Sequence, residues 1–238
     1  IAMMGKSLGE LEDYKTFLQR AQNYKNVFDP NTNFMRGRFN NKWYAPFDPY
    51  EVNFNYTEAN SWHYSYYVPH DISGHIALVG GKSNYETMLD SLFSASTNTS
   101  GRNQSDITGL IGQYAHGNEP SHHMAYLYNF INKPHKTQEK IRQILDEQYS
   151  NKPNGISGNE DCGQMSAWYV FSALGFYPVT PATSQYIIGS PIVKSAVINL
   201  ENGKTFTITA PNNSPSSQYI KEVSLNNSPL LNSYFTHN

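Results

Sequence analysis

The 238-residue chain contains one cysteine, Cys162, so no disulfide can form within it and no cysteine framework reveals its redox compartment. Charge is scarce too. Only 15% of residues are Asp, Glu, Lys or Arg, and the formal net charge is -2. Phosphate-rich partners are held by clustered cations, so nucleic acid and anionic membrane surfaces are not expected partners. The sequence lacks an apolar run of about 18 residues, the length that crosses a bilayer, and it lacks a charged-then-apolar leader at its start. A soluble chain is expected. It also lacks the HEXXH pattern of zinc peptidases. What it does have is aromatic surface: 14% of residues are Phe, Trp or Tyr, with 18 Tyr. Aromatic rings stack on flat apolar faces and phenols hydrogen-bond hydroxyls, which suits the two chemistries that a sugar presents.

Apolar periodicity organises most of the chain as helices. Leu8, Leu11, Tyr14, Leu18, Ala21 and Tyr24 recur at spacings of three or four, after a capping-box pattern over Ser7 to Glu10. Asp71 to Val79 reads as a short helix stopped by Gly80 and Gly81. Ser83 to Glu86 repeats the capping-box pattern ahead of an apolar face of Tyr85, Met88, Leu89, Leu92 and Phe93, and the polar stretch from Ser94 to Asp106 reads as a loop. Further helices are predicted over roughly 121–131, 136–149 and 163–174, the last closed by Gly175 and Pro178. From about Ile187 the period falls to two. Val197 to Leu200, a turn at Asn202-Gly203, and Phe206 and Ile208 alternating with threonines read as a β-hairpin, with a further strand over Tyr219 to Leu225. The expected fold is mainly α. Residues 1–186 form part of a toroid of paired helices joined by long aromatic loops, and residues 187–238 form a β-rich segment with a hairpin and a partial β-sandwich. Neither the helices nor the strands suffice to close such a shape, so the chain reads as part of something larger.

Three loops carry more polar groups than turns require. In the first, Glu58 lies among Tyr56, Trp62 and Tyr64, where partial desolvation favours the protonated form that a general acid needs. An aromatic core in which Glu58 caps a turn explains the same residues. In the second, Asn118 and Glu119 offer oxygen donors suited to a hard cation such as calcium. His122 and His123 are adjacent, hence about 100° apart on a helix, and make a poor zinc pair. Ser121 as an N-cap and the histidines as hydrogen-bonded core groups are the alternative there. The third loop belongs to NGISGNEDCGQMSAWY, residues 154–169, in which Glu160 and Asp161 precede an apolar helix whose positive end favours carboxylates. An N-cap role for Asp161 would use one acid and leave the other over. A pair of acids in one loop and an isolated acid in another is the minimum apparatus of a glycosidase.

The strings YTEANSWHYSYYVPHDISGHIALVGG, DITGLIGQYAHGNEPSHHMAYLYNF and GNEDCGQMSAWYVFSALGFYPVTPATSQYIIGSP resemble, in that order, the calcium-dependent α-mannosidases of glycoside hydrolase family 92. The resemblance runs from the first helix into the C-terminal strands. It implies an N-terminal β-sandwich followed by an (α/α)6 barrel with the active site between them, of which this chain would be the C-terminal part, without the sandwich and the early barrel helices. It implies that Glu58 is the general acid and that the base lies in the GNED loop. Some relatives carry aspartate where this chain has Asn159, so Asp161 is the better candidate for the base, with Glu160 a further catalytic candidate. Asn118 and Glu119, with Asp161, would surround calcium, and Trp62, His63, His116 and Asn159 are candidate substrate contacts.

The implied reaction is inverting hydrolysis of terminal α-mannosidic linkages in mannose-containing oligosaccharides, with water attacking the anomeric carbon in one displacement while calcium grips two mannose hydroxyls. Relatives that cleave α-1,2 linkages often carry an acidic residue where this chain has Gly117, which leaves the linkage open. Relatives act outside the cytoplasm, so a periplasmic, cell-surface or secreted location is expected. The expected partners are the glycan and the sandwich and barrel portion of the same enzyme. Two other readings stand beside this one: a non-catalytic, calcium-dependent mannoside-binding or assembly fragment, and an inverting glycosidase of the same toroidal class acting on another sugar.

Overall fold

The structure, a computed structural model, describes residues 1–237. Among these residues there are seven α-helices, three 3₁₀ segments and a set of short sheets, most of them two-stranded. The chain opens with α1 (Ala2–Leu8) and α2 (Leu11–Arg20), which pack against each other around a left-handed Gly9. The capping box predicted at Ser7 does not form: Ser7 lies inside α1, its hydroxyl bonds Met3 O at 3.1 Å, and Glu10 takes the N-cap of α2. The apolar stripe exists, but it does not reach the core. Leu8, Leu11 and Leu18 are 67%, 58% and 47% exposed.

A short α3 (Ser61–Tyr64) follows the Glu58 loop, and α4 (Ile72–Leu78) starts at Asp71, whose carboxylate accepts from Gly74 N at 3.0 Å. Gly80 and Gly81, both at positive φ, end α4 as predicted. Then α5 (Lys82–Ser94) begins one residue before the predicted capping box, with Gly81 at its N-cap and no side-chain cap. The helix expected over 121–131 is instead two 3₁₀ segments, Glu119–Ser121 and Met124–Ile131. Runs of 3₁₀ beyond three or four residues are uncommon, and this one is packed nearly all round, with Met124 to Asn129 buried. Tertiary packing, not local propensity, sets its winding. The last two helices match their predicted spans closely: α6 (Pro134–Gln148) and α7 (Gln164–Leu174), the latter stopped by a left-handed Gly175.

The core gathers one face of each of these elements. Tyr85, Leu89, Leu92 and Phe93 of α5, Met124 to Tyr128, Ile141, Ile144 and Leu145 of α6, and Trp168 of α7 form one continuous buried cluster. Each large apolar side chain so placed stabilises the fold by roughly 1.5–3 kcal/mol. The β-rich segment begins with a three-stranded antiparallel sheet, in which Gln185–Ile188 runs between Phe176–Tyr177 and Tyr234–Thr236. The predicted hairpin is present, Ser195–Asn199 pairing with Thr205–Thr209 around Asn202-Gly203. Of the strand expected over Tyr219 to Leu225, only Ser224–Leu225 forms, paired with Ser228–Pro229. Arg142 of α6 ties this segment to the helices by donating to Ser190 Oγ at 2.9 Å and also to Pro191 O and Asn213 Oδ1. No helix is long and apolar enough to cross a membrane among the described residues.

Candidate active site

The GNED loop enters α7 through an unusual turn. Asp161, Cys162 and Gly163 are all left-handed, with φ of 51°, 56° and 91°. For two non-glycine residues in succession this is strained backbone, which persists only where the surroundings enforce it. The turn separates the two acids. Glu160 folds back onto α7, accepting from Ser166 N and Ser166 Oγ, both at 2.9 Å, so that it is Glu160 and not Asp161 that satisfies the helix start. Asp161 is left exposed at the wall of a cavity of about 430 Å³.

That cavity is lined by Tyr67, Glu119, His122, His123, Asp161, Gln164, Tyr177 and the proline-rich stretch that follows Tyr177. Glu119 comes from the second loop and faces Asp161. Burial first, and then the neighbouring charges of Asp161 and Glu58, hold the Glu119 carboxyl above its ordinary range. Acids of two loops therefore meet at the cavity, and Glu58 of the third, which does not line it, is near enough for its charge to act on Glu119; no spacing in the sequence could establish this.

The walls are fixed by hydrogen bonds whose direction follows from proton counting. His122 Nε2–H donates to His116 O at 3.0 Å, so its Nδ1 accepts from Gln164 Nε2 at 3.1 Å. Gln164 Nε2 also donates to the Tyr177 hydroxyl at 3.3 Å, which leaves Gln164 Oε1 as its acceptor at the cavity. His123 Nε2–H donates to Tyr66 O at 2.7 Å. Burial pushes both histidines down to about 4, so they line the cavity as neutral rings.

The remaining candidates, the half-buried Glu58 among them, do not line this cavity. Asn118 is buried with its Nδ2 unpartnered. Asn159 is exposed beside the GNED turn. His116 is sealed behind the second loop: its Nδ1 meets the Tyr114 hydroxyl at 2.8 Å, its Nε2 meets the Tyr149 hydroxyl at 2.6 Å, and its ring lies 4.4 Å from that of Trp168. Burial, with His122 adding to it, pushes His116 down to about 2. Trp62 and His63 sit on α3, Trp62 lining a separate cavity of about 160 Å³ with Phe34, Tyr66 and Met88, and His63 buried with both ring nitrogens unpartnered. Tyr67, Gln164 and Tyr177 were not singled out as site residues by sequence reasoning. Gln164 had a signal, since it stands inside the GNEDCGQ string; Tyr67 and Tyr177 look like any other aromatic residue here.

The sequence pattern of the glycosyl hydrolase family 92 catalytic domain matches residues 1–238. The chain belongs to that family. Among solved family 92 structures, it is 43% identical to an α-mannosidase from Bacteroides thetaiotaomicron in complex with mannoimidazole, with a TM-score of 0.93 over 99% of this chain and 32% of that one. A family 92 inverting mannosidase from the same organism is 38% identical, with a TM-score of 0.87 over 99% of this chain and 33% of that one. An "Uncharacterized secreted glycosidase" from Arthroderma benhamiae is 26% identical over all of this chain and 32% of its own length. The chain thus spans about a third of the relatives it matches, and it forms part of the family 92 catalytic region.

The family is expected to use calcium, and the donor chemistry of the site can be compared with that ion. Glu119 and Asp161 crowd two carboxylates at one cavity, and Asn118, which precedes Glu119 in the chain, is the residue that would add an amide oxygen. Hard oxygen donors of this kind fit calcium. Among the described residues no group of three or more His, Cys, Asp or Glu side chains is arranged to hold a metal ion, so a cation here would fill its coordination with water or sugar hydroxyls. The site does not offer the closed nitrogen and sulfur shell of structural zinc.

Proposed function

We propose that this chain carries the acid-bearing loops of an exo-acting α-mannosidase, which hydrolyses terminal α-mannosidic linkages by a calcium-assisted, inverting single displacement. The observation that carries the reading is the meeting of Glu119 and Asp161, from two different loops, at a cavity edged by Tyr67 and Tyr177, with Glu58 of the third loop near enough for its charge to act on Glu119. The family membership and the α-mannosidase relatives support the substrate class.

In this reading Glu58 protonates the oxygen of the leaving sugar, and Asp161, freed from helix capping by Glu160, takes a proton from the attacking water. Tyr67 and Tyr177 shield the apolar face of the sugar, while Gln164 Oε1 accepts from a sugar hydroxyl. Asn118, Glu119 and Asp161 would hold the calcium ion, which when bound supplies positive charge against two mannose hydroxyls and helps distort the ring. The cavity is open, and the apolar stripe of α1 and α2 is uncovered, which fits a catalytic region completed by further helices of an (α/α)6 barrel and by an N-terminal β-sandwich. An extracytoplasmic location is supported by the secreted relative.

Proton NMR of α-linked mannobiose hydrolysis by the complete polypeptide that carries this chain tests the proposal. β-Mannose appearing first, and lost when calcium is chelated, is the expected result. α-Mannose appearing first overturns inversion, turnover that survives chelation overturns the role of calcium, and mannose binding without turnover favours a binding module.

A further inference from the structure

The loop bearing Glu58 and the loop bearing Glu119 are joined by one buried amide. Gln113 is fully buried at the turn between the paired strands Leu110–Ile111 and Tyr114–Ala115, and the chain runs on from there to Asn118 and Glu119. Its Oε1 accepts from Asn60 Nδ2 at 2.8 Å, while its Nε2 donates to Ser96 O at 2.6 Å and Asn98 O at 3.1 Å. Its backbone N–H donates to Leu92 O at 2.8 Å at the end of α5. Every side-chain bond has a fixed direction. Flipping the amide would set donor against donor at Asn60 and acceptor against carbonyl at Ser96, so only one orientation satisfies all three partners.

Asn60 is equally buried and stands two positions after Glu58. It occupies the N-cap of α3, where an asparagine side chain ordinarily accepts from the first turn of the helix. Here it makes no such cap, and its amide reaches across to Gln113, 53 residues away in sequence. On the other side of Glu58, Arg102 Nη2 donates to Thr57 O at 3.0 Å. The backbone that carries Glu58 is therefore pinned on both flanks, and the Asn60 pin ends on the element that leads to Glu119.

We propose that Gln113 is a positioning residue for the general acid: through Asn60 it sets where the Glu58 carboxyl stands relative to Glu119 and Asp161. In a single displacement the acid and the base must leave room for one water and one scissile bond, and a small misplacement of the acid costs rate without removing any catalytic group. The proposal rests on the reading of Glu58 as the acid, and its test separates the two.

The experiment compares two substrates in the complete polypeptide, α-mannobiose and 2,4-dinitrophenyl α-mannoside, whose leaving group departs without a proton. Gln113→Met keeps the side-chain length but none of the three polar bonds. Its kcat on mannobiose is expected to fall about 100-fold, with KM little changed and with less than about a threefold loss on the dinitrophenyl substrate. Asn60→Ser removes the same contact from the other side and should give the same split even if Gln113→Met folds poorly. Equal losses on both substrates in these variants, or no loss on mannobiose, would overturn the proposal. Glu58→Gln is the reference. If it loses activity equally on both substrates, the reading of Glu58 fails, whatever the Gln113 variants do.

Discussion

Replacing Tyr149 by Phe removes a single oxygen from a chain of buried hydrogen bonds whose polarity can be worked out. The Tyr149 hydroxyl donates its one proton to Met165 O at 3.1 Å, so its contact with His116 Nε2 at 2.6 Å must be one in which the ring nitrogen donates. His116 Nδ1 then accepts from Tyr114. Tyr149→Phe leaves the Nε2–H of a buried ring unpaired and removes one of the two bonds to Met165 O, whose place inside α7 keeps it paired in the helix. An unsatisfied buried donor costs about 1–3 kcal/mol, and a lost ordinary hydrogen bond about 1 kcal/mol. Tyr149 is only partly buried, so water recovers some of this, and the net loss should be about 2 kcal/mol. For a chain of this length that is a drop in Tm of roughly 4–8 °C. Urea unfolding measured beside wild type should show the midpoint move with the slope unchanged. A loss below about 0.5 kcal/mol would refute the proton count, because a change that small is what an unimportant surface site gives.

Glu119→Gln removes a carboxylate crowded by Asp161 and Glu58, so it should raise the stability of the metal-free chain by roughly 0.5 kcal/mol, a value reduced for solvent screening. The same substitution should abolish any rise in Tm on adding calcium, read by calorimetry with and without the ion. Gly117 has no room for a side chain, since a Cβ there would overlap the Thr108 hydroxyl and lie 2.9 Å from Ser157 O. Gly117→Ala should therefore lower the unfolding free energy by about 1–3 kcal/mol, with partial recovery when Thr108→Ala is added; strict additivity of the two would count against the contact. His75 is buried on α4 among Tyr24, Tyr66 and Tyr85, and burial, with His123 adding to it, pushes it down to about 4. The unfolded chain binds this proton below about pH 6.5 and the folded chain does not, so stability falls as pH drops from there toward 4. His75→Met should flatten that acid limb by about 1 kcal/mol between pH 7 and 5.5, and an unchanged limb would show that other groups set it.

Local rules located much of this protein. Gly80-Gly81 and Gly175 stop helices because they adopt left-handed backbone without a Cβ penalty, and Asn202-Gly203 makes a hairpin for the same reason. Capping boxes failed where another residue reached the helix start first, as Glu10 and Gly81 did. The stripe of α1 and α2 makes those helices amphipathic, but amphipathicity does not say what covers it.

The sequence by itself determined the family, the three acid-bearing loops and the order of the helices, because these depend on residue identity and short spacing. Only the tertiary structure decided which acids lie near one another. Glu160 and Asp161 are neighbours in sequence, yet a left-handed turn sends one to cap α7 and the other to the cavity. Trp62 and His63 stand beside Glu58 in one motif, yet α3 turns them into the interior. Glu119 and Asp161 are 42 positions apart and act on each other's charge, a contact fixed by packing across the fold rather than by any local pattern.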